Sequence, residues 1–124
     1  MKQGDVLWKQ VYAAFKAHQI PDVDRTPQMA MDRITAKCIG LSSDCWVSFS
    51  QDNCNVYEVV LSLDDLKKLT CYHTRSIPLI NGDPIILLLY GGDRYVIDGN
   101  NRVNKWVKEE DPTPRRALFL KSKI

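Results

Sequence analysis

The sequence predicts one α/β domain of the α+β kind, a small mixed β-sheet with helices packed on it. Three observations predict it. Hydrophobic spacing is helical up to Gly40 and strand-like after it. An unbroken apolar run, Ile85 to Tyr90, is followed by Gly91-Gly92-Asp93 and a second strand-like run, Arg94 to Ile97. A length of 124 residues suits a single domain, and 44% hydrophobic with 26% charged residues is an ordinary globular balance.

The first helix begins near Asp5, which can cap it. Leu7, Val11, Ala14, Phe15 and His18 recur on one face, and Pro21 ends it. Thr26-Pro27 opens a second helix, with Ala30, Ile34 and Cys38 as its apolar stripe and Gly40 as its stop. Trp46 to Ser50 and Val56 to Leu61 read as strands separated by a turn at Gln51-Asp52-Asn53. Asp64 to Leu69 suggests a short helix with acids at its start. Thr70 to Asn81 reads as loop.

The two-glycine turn supplies the positive φ angles that a tight hairpin needs, and Ile85 to Tyr90 should be a central strand buried on both faces. Asp98-Gly99 breaks the second strand of the hairpin. Asn101 to Glu110 then forms a helix with a stripe of Val103, Trp106 and Val107, and Arg115 to Leu120 is a last strand. Trp8, Trp46 and Trp106 all have apolar neighbours and are expected in the core rather than as base-stacking platforms.

A formal charge of +2 names no partner class by itself. No apolar leader is visible at the amino terminus, and the longest apolar run is far too short to cross a bilayer, so a cytoplasmic location without membrane contact is expected. Cys38, Cys45, Cys54 and Cys71 contain no CxxC pair, and reduced, partly buried thiols are expected in place of zinc ligands.

The candidate site is Asp98-Gly99-Asn100-Asn101-Arg102, where a strand turns into a helix. The first N–H groups of a helix favour an anion, a glycine lets a ligand approach the backbone, and Arg102 can present a forked donor to phosphate. Asp98 could hold a metal ion or fix the loop. Taken alone, the same five residues also suit a plain turn with a capping asparagine.

Residues 55–122 resemble the ParB/sulfiredoxin superfamily. Gly82-Asp83-Pro84-Ile85 is similar to its strand-entry segment and Arg94 to Arg102 to its strand ending in Asp-Gly-x-His-Arg. Val59 to Leu66 resembles its opening strand and helix, and Ala117 to Leu120 its closing strand. The resemblance leaves residues 1–50 as a helical N-terminal extension of the same domain. It implies a nucleotide or phosphate site in which Gly99, Asn100, Asn101 and Arg102 contact phosphates, with Gly82, His73 and Arg75 as further contacts. It also implies Asp98 and Asn101 in catalytic positions, with Asp98 as a ligand to Mg2+ brought by a nucleoside triphosphate. The reactions implied are phosphoryl transfer or phosphodiester cleavage on a nucleotide or nucleic acid.

Two departures bear on that chemistry. Asn100 stands where sulfiredoxins carry their cysteine, and Asn101 stands where His or Glu is common. An amide binds phosphate but does no acid–base work near neutral pH. The alternative expectation is a non-catalytic interaction protein, a small regulator or inhibitor of a protein partner that retains the fold.

Overall fold

The computed structural model describes residues 3–16, 26–40, 48–71 and 84–122. Its elements are α1 (Gln3–Lys16), α2 (Pro27–Cys38), β1 (Cys54–Leu61), α3 (Leu63–Lys67), β2 (Ile85–Tyr90), β3 (Asp93–Asp98), α4 (Asn100–Lys108) and β4 (Arg115–Ser122). The strands form one mixed sheet in the order β1-β4-β2-β3. β1 pairs antiparallel with β4 and β2 antiparallel with β3, while β2 and β4 run parallel.

β2 is central, as its composition predicts. Ile85, Ile86, Leu87 and Leu88 are all buried, because strand alternation sends each pair of neighbours to opposite faces and both faces are covered. On one face Ile86 and Leu88 pack with Leu118, Leu120 and Val56 against Leu7, Trp8, Val11 and Phe15 of α1 and Met31 of α2. On the other, Ile85 and Leu87 pack with Ala117 and Phe119 against Leu66 of α3 and Val103 of α4. The N-terminal helices are thus one of two helical layers around the sheet, not an appendage to it.

Local signals explain the element ends. Thr26 Oγ1 accepts from the Met29 N–H at 3.2 Å, capping α2 with Pro27 in its first turn. Gly40 follows the helix at φ +74°. Ser62 and Asp65 form a reciprocal capping box at α3. Gly91 and Gly92, at φ +59° and +86°, make the two-residue hairpin turn between Tyr90 and Asp93.

Several expectations change. Asp5 lies inside the first turn of α1, where it accepts from Gln51 Nε2 at 2.7 Å, instead of capping it. The buried face of α2 is carried by Met31, Asp32 and Thr35, with Ile34 and Cys38 only partly buried. Residues 48–50 are not a strand, and β1 begins at Cys54. Asn100 opens α4, which ends at Lys108, and β4 extends to Ser122. Trp8 is buried and Trp106 half-buried, while Trp46, His18 and Pro21 lie outside the described residues.

The reason residues 48–50 leave extended pairing is a polar knot around buried Asp32. Its carboxylate accepts from Gln28 Nε2 at 2.8 Å, Ser48 Oγ at 2.9 Å and the Phe49 N–H at 3.3 Å, and Tyr12 donates to Gln28 Oε1 at 2.7 Å. A buried carboxylate needs such donors, and here they come from two segments, α2 itself and residues 48–49.

Candidate functional site

The junction between β3 and α4 is built around Gly99, the residue before the helix, at φ +98° and ψ +19°. The left-handed conformation costs an L side chain about 1–2 kcal/mol. Space is a second constraint: a Cβ there would stand 2.6 Å from Ile85 Cγ2 and 3.0 Å from Arg102 Nη2. The turn therefore presses the start of α4 against the start of β2 and lays the Arg102 guanidinium over the glycine. The first helical hydrogen bond runs from the Val103 N–H to the Gly99 carbonyl at 2.9 Å.

Asp98 ends β3 and pairs with Arg102 across one helical turn, Oδ2 to Nη2 at 3.3 Å. Both side chains are largely buried, 10% and 13% exposed, so the guanidinium is held in one orientation. Asn100, expected among the phosphate contacts, turns its amide inward. Its Nδ2 donates to the Val96 carbonyl at 2.8 Å and to Cys38 Sγ at 3.6 Å, locking α4 to β3 and to the end of α2. Any contact of Asn100 with a ligand would go through its backbone. Asn101 is half-buried in the first turn of α4.

The structure thus brings Asp98, Gly99, Asn100, Asn101 and Arg102 together at one end of the sheet. His73, Arg75 and Gly82 lie outside the described residues. Among the described residues no three His, Cys, Asp or Glu side chains group as metal ligands, and Asp98 is engaged by Arg102. Cys38 and Cys71 sit near this junction, and burial pushes both thiols up from 9.0 to about 11. Cys38, Cys54 and Cys71 are not in disulfides, and Cys45 is outside the described residues.

Arg115 and Arg116, which follow the Asp111-Pro112-Thr113-Pro114 stop, are used within the fold. Arg115 stacks over the Trp106 ring, 4.0 Å from its centroid, and donates to Asp111 at 2.7 Å. Arg116 donates to Gln10 of α1 at 2.6 Å and to Glu58 of β1 at 3.1 Å, and that bond holds the Glu58 carboxyl below the usual range. The knot at Asp32 was not legible in the sequence, since its donors come from separate segments.

Comparison with protein-family models, with curated proteins and with solved structures gives no match to this chain. None of the helices in the described residues is long and apolar enough to cross a membrane.

Proposed function

We propose that this protein is a small binding module for a phosphate-bearing ligand, a nucleotide or nucleic acid, recognised at the Gly99–Arg102 turn. The observation that carries the reading is the arrangement at that turn. A left-handed glycine brings the N-terminus of α4 and an oriented guanidinium to one point. Helix N-termini favour anions, and a guanidinium presents a planar fork that matches phosphate geometry. The order of motifs, which resembles that of ParB/sulfiredoxin-type domains, supports the same reading, and cysteines outside disulfides suit a cytoplasmic setting. The proposal is for binding. With Asp98 engaged by Arg102 and an amide at Asn101, no acid–base step follows from the described geometry.

A thermal-shift screen of nucleoside triphosphates, each with and without Mg2+, tests this. A ligand at a hundredfold excess over its dissociation constant stabilises by about 2.7 kcal/mol. Arg102→Ala should then weaken binding roughly ten- to hundredfold, with Arg102→Lys intermediate because an ammonium keeps the charge and loses the fork. Asn101→His that gains hydrolysis would show that the site lacks only its acid–base group. Equal binding by Arg102→Ala and the parent places the site elsewhere.

A second reading, a non-catalytic partner-binding protein, is favoured by a different observation. Among the described residues β1 is an edge strand, and it carries Val60 and Tyr57, which are 68% and 46% exposed. It becomes the better reading if the parent binds no phosphate ligand in the screen.

A further inference from the structure

Far from Gly99, at the other end of the strands, the α3/α4 face of the sheet carries an aromatic and cationic surface. The strand registers align Asn55, Lys121, Leu89 and Arg94 in one row across β1, β4, β2 and β3. The next row begins with Tyr57 beside Phe119. Tyr57, Lys121 and Arg94 are exposed, Leu89 is half-buried, and Phe119 forms a buried floor. Lys121 Nζ lies 5.6 Å from the Tyr57 centroid and 5.4 Å from the Phe119 centroid, and the Arg94 guanidinium lies 6.0 Å from that of Phe119. From the spacing of neighbouring strands the backbone positions of Lys121 and Arg94 stand about 10 Å apart along the row.

We infer that this face binds single-stranded nucleic acid, with a base stacked on Tyr57 and backbone phosphates on Lys121 and Arg94. The charge and the rings select that occupant together. An exposed ring with one cation beside it and a second cation farther along the row complement a chain that alternates phosphates with flat bases, and Leu89 with Phe119 supplies the apolar floor between the cations. Asn55 stands next to Tyr57's strand position on the same face and offers an amide to a base edge. The acids near this row leave the cations dominant on it: Asp93 falls on the opposite face by strand alternation, and Asp65 of α3 is bound to the Ser62 cap while its field reaches Arg94. Duplex DNA or RNA stacks its bases inside and offers no open base face to Tyr57. The site does not depend on the Gly99–Arg102 turn.

The test is fluorescence anisotropy with a labelled oligothymidylate of about ten nucleotides. The parent should bind, and a duplex of equal length should bind at least about tenfold more weakly. Tyr57→Ala should lose at least about tenfold in affinity, whereas Tyr57→Phe keeps the ring and the binding. Replacing Arg94 and Lys121 together by glutamate should lower the affinity and reduce the salt dependence by about 1.4 in the log–log slope, as two lost single-strand phosphate contacts require. Loss of oligothymidylate binding in Tyr57→Ala with its triphosphate thermal shift retained separates this surface from the Gly99–Arg102 turn. Circular dichroism checks that each variant folds. The inference is overturned if the parent does not bind, if the duplex binds equally well, or if Tyr57→Ala binds like the parent, which would make the patch a generic polyanion surface.

Discussion

Gly99 and Ile85 are packed so closely that a methyl group on the glycine would stand 2.6 Å from Ile85 Cγ2. The contact joins the start of α4 to the start of the central strand. Gly99→Ala meets both this clash and the left-handed φ, and should lower stability by about 2–4 kcal/mol in chemical denaturation. Gly40 has φ +74° and nothing within 4 Å of a Cβ. Gly40→Ala should therefore cost only the conformational part, about 1–2 kcal/mol. Equal losses at the two positions would remove the steric role assigned to Ile85.

Leu87 and Leu88 are adjacent, fully buried and on opposite faces of β2. Either truncation to alanine should cost about 2–5 kcal/mol, measured by urea unfolding of each variant. Because the two cavities open in different layers, the double variant should show near-additive losses. A neutral effect at either leucine would mean that the helical layer over it is not packed as described.

Asp32 accepts three hydrogen bonds while buried, from Gln28, Ser48 and the Phe49 backbone. Asp32→Ala leaves those donors without their acceptor and should destabilise by about 2–4 kcal/mol, more than Ser48→Ala, which removes one donor and should cost about 1 kcal/mol. Denaturation midpoints of the two variants at matched slope check the ranking.

The raised thiols at Cys38 and Cys71 predict a pH signature. With values of about 11 against an ordinary 9.0, both remain protonated in the native protein where an exposed cysteine has begun to ionise. Alkylation at these positions, followed by peptide mass mapping, should be slow at pH 8 and accelerate only as the pH approaches 11. Folding holds these protons more tightly than unfolding does. Their stabilising contribution is thus full below pH 9 and is lost as the pH rises through 11. Fast modification of Cys38 at pH 8 under native conditions would contradict its packing against Asn100.

Much of the fold was legible because its signals are local. Thr26-Pro27, the two-glycine hairpin and the six-residue apolar run each specify a conformation within a few positions. The candidate turn was legible for the same reason, since Asp98-Gly99 marks the end of a strand and Arg102 falls one turn into the next helix. What escaped was fixed by distant partners. No pattern near Asn100 indicates that Cys38, 62 positions earlier, will take its amide proton, or that Asp32 will gather Ser48 and Phe49 around it. Composition likewise gave no sign of the basic and aromatic row, because Tyr57, Arg94 and Lys121 meet only through strand register.

The order of the strands in space differs from their order along the chain, and that difference has a consequence for how the molecule assembles. β2, β3, α4 and β4 come from one unbroken stretch, 85–122, and contain the parallel pair at the centre of the sheet. This stretch closes a two-residue turn and a crossover of about 30 positions before its strands pair. β1, by contrast, reaches β4 across about half the sequence and adds at the rim, bringing the α1/α2 layer with it. Amide exchange should therefore be graded across the sheet, slowest in β2 and fastest in β1. On that ordering, the stretch 85–122 is a nucleus onto which the preceding elements condense.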